Sequence, residues 1–421
     1  MVRLNLKGFT KLDGRRRDAV RLVWTVCALV FVISMALYPR VVFDGAVLGL
    51  QTWWNIVFPA LLPFFIASEL LMNFGVVHFM GVLLEPVMRP LFNVPGAGSF
   101  VMMVGFFSGY PIGSMVTARL RSEGLCTSVE AERLMSFTNN SSPLFMLAAI
   151  AIGMFNNPRV GLLIAGAHYL SNLTLGLCLR FYGRDGRGHY SGPPQRASSI
   201  VRQAFQKMFQ VQREDNRPPG KVMGDAVRSA VTNLLNIGGF IILFAVIIRL
   251  LTTAGVIDAL AGVLGMLLLP LGFEPGILPA LGSGFFEMTI GSKLASEAAA
   301  PLIQRVTAVG MILAWSGLSV HAQVASMIAD TDIRMKPFIM TRLAHTALAG
   351  LYTYLACSWF MPLEEAAAPV MAAGNGWQVL APYTHAKVFC FFLIILLGVI
   401  LLALLAHLVA NIRLFFLRHK R

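Results

Sequence analysis

Two segments of this 421-residue chain match at a constant offset of 180 residues. Gly75-Val76, Leu84, Pro90-Leu91 and Pro95-Gly96 recur as Gly255-Val256, Leu264, Pro270-Leu271 and Pro275-Gly276. Each copy leads into an apolar, glycine-rich stretch with a polar kernel, at residues 105–113 (GFFSGYPIG) and 282–291 (GSGFFEMTIG). A duplicated hydrophobic unit with an interrupted, polar centre is the pattern of a secondary transporter built from internal repeats.

Composition places that pattern in a bilayer. Hydrophobic residues make up 57% of the chain and charged residues 13%, against roughly 25% charged in a soluble domain; mean hydropathy is +0.70. Apolar runs at 22–38, 46–72, 126–155, 159–181, 228–251, 301–328, 337–360 and 386–412 have the length of helical spans. The short alternating segments of an outer-membrane barrel are absent. The expectation is an all-α polytopic membrane protein. Its net charge of +14 then reads as an orienting bias rather than a nucleic-acid footprint. Cys27, Cys126, Cys178, Cys357 and Cys390 are scattered, without a CxxC pair, and read as packing residues. No HExxH, GxSxG or Walker sequence occurs, so neither an enzyme nor an ATP-driven pump is expected, and no cofactor.

Charge distribution sets the topology. Seven Lys or Arg residues lie within the first 21 positions, which places the N-terminus in the cytoplasm and favours an uncleaved first helix over a signal peptide. Threading from there puts 40–45 outside, 73–75 and Arg119 and Arg121 inside, and 156–158 outside. The linker 183–221 falls inside, with eight basic residues against three acids. Arg334 and Lys336 also fall inside, Glu364-Glu365 outside, and the tail Arg413, Arg418, Lys420, Arg421 inside. The first unit thus begins outside and the second inside, an inverted repeat. The division is 1–45 (N-terminus and first helix), 46–182 (first unit), 183–221 (basic linker), 222–361 (second unit) and 362–421 (external loop, last helix and tail). Segments 97–119 and 277–293 read as re-entrant hairpins, tolerated at membrane depth only when buried in protein or lining a cavity. Segment 76–92, with Glu85 and Arg89, reads as an amphipathic interfacial helix. Within the linker, 197–211 reads as a short basic helix near anionic lipid.

Four places carry candidate binding groups. Asn139, Asn140, Ser141 and Ser142, followed by Pro143, interrupt the span 126–155; a break there exposes carbonyls and a half-helix N-terminus suited to ions or anions. Interhelical hydrogen bonding is the alternative. In the second unit Ser316 and Ser319 stand three apart around Gly317, with His321 and Gln323 beyond, and read as cavity-lining. Glu287 at the second hairpin tip is costly at membrane depth and must be paired, protonated or facing water; substrate or cation binding competes with a structural role beside Lys293, and Thr289 follows it. Ser108, Gly109 and Tyr110 occupy the equivalent, uncharged tip of the first hairpin. His168 and His345, at similar places in the two closing spans, read as buried structural histidines.

A family resemblance joins these features. Trp53-Trp54, Phe58-Pro-Ala-Leu-Leu-Pro-Phe-Phe65, Ser68-Glu-Leu70, Leu84-Glu-Pro86, Ser108-Gly-Tyr-Pro-x-Gly113, Glu130-Ala-Glu-Arg133, Asn139-Asn-Ser141, His321-Ala-Gln323 and Asp330-Thr-Asp332 resemble the YlbJ family of sporulation integral membrane proteins. The resemblance covers about residues 20–410 and implies two Gate (nucleoside recognition) units, similar to those of concentrative nucleoside transporters, each with a re-entrant hairpin and a broken helix. It implies a role in endospore formation, in the mother-cell membrane facing the forespore, with dipicolinate as cargo. In the nucleoside transporters the second hairpin carries a substrate-contacting glutamate, which Glu287 resembles, and the second broken helix carries polar contacts where Ser316 and Ser319 stand. The first hairpin departs from them, with Ser-Gly-Tyr-Pro at its tip. The expected activity is therefore transport of a small anionic metabolite. A non-transporting scaffold for spore envelope assembly and a nucleoside transporter are the alternatives. The expected partners are a small-molecule substrate and the lipid bilayer, with no nucleic acid; sodium or a proton is open as coupling cation, as is a homo-oligomer.

Overall fold

A computed structural model describes residues 14–183 and 200–360, with the isolated positions 390 and 394. The basic stretch ahead of Gly14, linker residues 184–199, the loop with Glu364-Glu365, the rest of the span 386–412 and the basic tail lie outside the described residues. Among the described residues there is no strand. Segments Pro39–Asn73, Pro158–Leu179, Pro219–Thr253 and Leu302–Ile328 are long and apolar enough to cross a bilayer.

Helix α1 (Gly14–Leu37) stands ahead of the first unit, and its Leu22, Val23, Leu29, Val30 and Ile33 are exposed. A lone span needs apolar groups all round, because its neighbour is lipid rather than protein. In the first unit α2 (Pro39–Thr52) runs through a wide π turn, Trp53–Val57, into α3 (Phe58–Asn73). Pro59, which lacks a backbone N–H, follows directly after that widening. Then come α4 (Val76–Val87), the hairpin arms α5 (Gly98–Ser108) and α6 (Ile112–Ser122), α7 (Ser128–Thr138), a π-helical segment Phe145–Met154 and α8 (Pro158–Leu179).

After the linker helix α9 (Ile200–Glu214) the same order returns. It comprises α10 (Pro219–Thr253), α11 (Val256–Leu268), the hairpin arms α12 (Leu278–Phe286) and α13 (Met288–Glu297), the broken pair α14 (Leu302–Trp315) and α15 (Gly317–Ile328), and α16 (Met335–Phe360). The repeated Gly-Val dipeptide has a structural cause. Gly75 and Gly255 both take φ +74°, the left-handed conformation open to glycine, and each turns the chain into the short helix before its hairpin.

Contacts at the helix ends show that the two units are inverted. Arg121, at the open end of the first hairpin, holds Asp332 after α15. Arg305, near the start of α14, donates to the Ser296 carbonyl at the open end of the second hairpin and lies over the Phe155 ring at 6.0 Å. The broken helix of unit one therefore runs from the Arg121 end to the Arg305 end, and that of unit two runs back. The hairpins enter from opposite ends, and both tips line one cavity between them; the Tyr110 hydroxyl of the first donates to the Leu313 carbonyl near the end of α14 at 3.1 Å.

Burying leucine among lipid tails gains little from water exclusion, so close backbone approach must do more of the packing. Gly45 and Gly49 of α2 lie against Val246 and Ile242 of α10, and the Trp53 indole donates to the Leu234 carbonyl at 2.9 Å. In the first hairpin, Gly105 of one arm and Gly113 of the other both press on the Thr138 carbonyl; a Cβ on Gly105 would stand 2.1 Å from that oxygen. In the second, a Cβ on Gly291 would stand 2.3 Å from the Gly284 Cα.

Gly105→Ala is accordingly expected to destabilise the purified protein by about 1–3 kcal/mol, the usual cost of overpacking. Gly220→Ala, where nothing lies within 4 Å, is the matched control. Equal melting temperatures for the two variants would contradict this packing.

Candidate functional site

The two hairpin tips and the segments beside both helix breaks line a cavity of about 50 Å³. Of the residues expected in a binding site, Ser108, Gly109, Tyr110, Ser141, Ser142, Glu287, Thr289 and Ser319 line it together, and Gln323 joins them. Leu61 and Phe65 of α3 and Ile237, Phe240 and Ile241 of α10 form an apolar wall. A cavity of about 150 Å³ is the size that admits benzene, so this space has room for a few waters and is too small for an aromatic metabolite.

The first break is extended rather than helical. Asn139, with φ −88° and ψ 93°, ends α7, and the chain resumes a helical course at Pro143. Ser142 Oγ accepts from the Phe145 amide at 3.2 Å, capping the segment that follows. Asn140 turns away from the cavity, its amide donating to the Phe137 carbonyl at 3.2 Å and its oxygen accepting from Asn172. Asn139 is fully buried and its side-chain amide has no partner. The Tyr169 hydroxyl, which sequence patterning did not single out, lies 2.9 Å from the Ser141 carbonyl and 3.2 Å from that of Phe106, fastening the break to the hairpin.

The second break is a two-residue kink: Ser316 and Gly317 take φ +70° and +76° in succession. The Ser316 hydroxyl returns to the Trp315 carbonyl at 2.5 Å, so only Ser319 reaches the cavity. Spacing of three along a continuous helix does not carry across a left-handed pair. His321 Nδ1 meets the Gly317 carbonyl at 2.8 Å, and its ring sits 4.4 Å from that of Trp315, behind the cavity. Glu287 does project into the cavity, where its carboxylate accepts from the Ile290 amide at 2.7 Å and caps α13. Lys293 pairs with Glu297 at 2.6 Å instead. The His168 and His345 rings lie tilted against each other with centroids 4.6 Å apart; His345 Nε2 lies 3.0 Å from the His168 carbonyl, and His168 Nε2 accepts from the Ser141 amide at 3.3 Å.

One charged residue escaped the sequence reading. Arg342 of α16 is 0% exposed and directs its guanidinium at the end of α7. It donates to the Ser136 carbonyl at 2.5 Å, the Asn139 carbonyl and Asn172 Oδ1 at 3.2 Å, and the Tyr110 hydroxyl at 3.3 Å. A cation suits the negative end of a helix. It lies seven residues beyond the start of α16, about 10 Å at the helical rise, and an arginine at the centre of a span costs roughly 2.5–3.5 kcal/mol on insertion scales. A lone arginine inside the apolar run 337–360 was the signal that could have found it.

At the end where the basic residues gather, ion pairs tie unit one to unit two. Arg121 grips both oxygens of Asp332 at 2.7 and 2.8 Å, and Arg334 grips Glu132 at 2.6 and 3.1 Å. Nearby, Arg217 joins Asp215, Asp225 and Asn73, pinning the start of α10 to the end of α3. That guanidinium holds the Asp215 carboxyl down to about 2.

The fold and cavity define a class: an all-α integral membrane protein of two inverted, Gate-type units with a polar site at their junction. The family model "Nucleoside recognition" (Gate) matches residues 55–172. The sporulation integral membrane protein YlbJ of Bacillus subtilis (strain 168) is 44% identical over 368 residues, covering 84% of this chain and 89% of that one. The chain belongs to the YlbJ family of sporulation integral membrane proteins. An uncharacterised protein of Alkalihalophilus pseudofirmus is 32% identical over 97 residues, 22% of this chain and 21% of its own length. A solved structure of a CNTnw variant in its intermediate 3 state aligns over 82% of this chain and 87% of that one, at 15% identity and a TM-score of 0.39.

Arg121 holds the Asp332 carboxyl below the ordinary aspartate value of 3.8. A group depressed on folding contributes stability above its unfolded pKa and loses it as the pH falls through the folded one. Asp332→Asn is expected to lower the melting temperature slightly at pH 7, since the pair is partly exposed. The gap to the wild type should narrow below about pH 3.8; a pH-independent gap would show that the charge is not responsible.

Proposed function

We propose that this chain is a secondary transporter or facilitator, not an enzyme, for a small anionic metabolite, with dipicolinate moved toward the forespore during sporulation as the cargo. The observation that carries the reading is the cavity itself: polar groups from both hairpin tips and from beside both breaks meet an apolar wall where the two inverted units join. Two inverted units support two related conformations that open to opposite faces. At about 50 Å³ the cavity must enlarge before it admits an aromatic dicarboxylate, and parting the hairpin tips enlarges it. The half-helix that starts after Ser142 and the one that starts at Gly317 direct positive dipole ends toward the centre, which favours an anion. Glu287 then takes part as a neutral acid or beside a cation. On this reading the basic end, with Arg121, Arg334 and α9, faces the cytoplasm of the mother cell. Membership in a sporulation family agrees with that setting.

A nucleoside cargo is the second reading, favoured by the description of the family model matched by residues 55–172.

Spore dipicolinate measured in three sporulating strains decides between them. A strain lacking the protein, and strains carrying Glu287→Gln or Ser142→Leu at the cavity lining, are expected to accumulate far less than the wild type. Normal content in all three would remove the proposal.

A further inference from the structure

We propose that Arg342 is the anion-selecting residue of the cavity, reached by a substrate carboxylate that takes the place of the Tyr110 hydroxyl. The inference rests on the anionic-cargo reading and adds the group that recognises the charge.

Among the described residues, two buried acids have ion-pair partners. Glu130 meets Arg89 at 2.5 Å and Glu132 meets Arg334 at 2.6 Å, both near the basic end. Among the described residues Arg342 forms no ion pair, although it is fully buried and seven residues, about 10 Å, beyond the start of α16. Its acceptors are all neutral oxygens. Capping α7 accounts for two of them, the carbonyls of Ser136 and Asn139. A neutral side-chain donor would cap those carbonyls without the expense of a buried charge, so the charge requires a separate reason.

Geometry supplies one. Tyr110 is the member of this acceptor set that also lines the cavity, and at 3.3 Å it is the longest of the four contacts. Its hydroxyl stands between the guanidinium and the cavity, and it donates onward to the Leu313 carbonyl in the other unit. Hydrogen-bonding capacity around it is unspent. Arg342 Nε, both polar side-chain atoms of Asn139 and the Ser141 hydroxyl are buried without partners. When the hairpin tip withdraws, the hydroxyl leaves with it and one N–H of Nη1 is released toward the cavity. A carboxylate accepting that N–H gains a charge-assisted bond in a low-dielectric site, whereas a neutral ligand merely replaces the tyrosine. Arg342 therefore selects carboxylates over neutral molecules of the same shape, and Tyr110 serves as its occupant while the site is empty.

Titration calorimetry on the purified full chain in lipid nanodiscs tests this, with dipicolinate, benzoate, uridine and the neutral isostere pyridine-2,6-dimethanol as probes. Arg342→Gln is expected to weaken carboxylate binding about tenfold or more while changing the neutral probes little. Arg342→Lys, which keeps the charge, should lose less. Tyr110→Phe removes the competing hydroxyl and leaves the ring, so it should tighten carboxylate binding. Parallel loss for charged and neutral probes in Arg342→Gln, with Tyr110→Phe unchanged, would assign Arg342 a structural role and overturn the inference alone. A wild-type protein that binds uridine and neither carboxylate would overturn the anionic reading and the inference together. Arg342-dependent binding of benzoate without dipicolinate would uphold the inference and remove the named cargo.

Discussion

A helix broken inside a bilayer leaves carbonyl and amide groups that lipid cannot satisfy, and each unsatisfied group there costs several kcal/mol. In this protein much of that demand is met across the boundary between the two units. The carbonyls at the end of α7, in unit one, receive the Arg342 guanidinium from unit two. The Leu313 carbonyl, at the end of α14 in unit two, receives the Tyr110 hydroxyl from unit one. The His168 carbonyl faces His345. Neither broken helix is complete without the other half, so the polar centre exists only as a property of the assembled pair.

The duplication is not a copy at this centre. One tip carries Tyr110 with a backbone of glycine and proline around it; the other carries Glu287, which caps its own second arm. One break is a non-helical stretch of four polar residues, Asn139 to Ser142, the other a left-handed pair. The cavity consequently has a carboxylate on one side and, behind a phenol, a guanidinium on the other. Inversion supplies the two-sided architecture, and divergence of the tips gives the cavity unlike chemistry on its two sides. The two ends differ as well: bidentate ion pairs join the units at the basic end, while an arginine over an aromatic ring joins them at the other.

Much of this was legible from local chemistry. The glycines at 75 and 255 announced matching junctions because glycine readily takes φ near +74°. Pro143 and the polar run before it announced a break, since proline offers no N–H and asparagine competes for backbone groups. Glu287 stood out because a carboxylate among apolar residues needs a reason to be there. Misplaced expectations arose where periodicity was extended through a break. Ser316 and Ser319 sit three apart, yet only Ser319 reaches the cavity, and Asn140 turns to Asn172 rather than inward.

The amino-acid order alone determined the class of fold, the duplication, its inversion and the positions of both hairpin tips, because these follow from hydropathy, charge bias and backbone stereochemistry read over short distances. Only the tertiary structure decided which polar groups share one cavity and which cation stands behind it. Tyr110 and Arg342 are 232 positions apart, and Arg342 and Ser136 are 206 apart. Contacts of that separation arise from how two inverted units dock, and no local pattern encodes the docking.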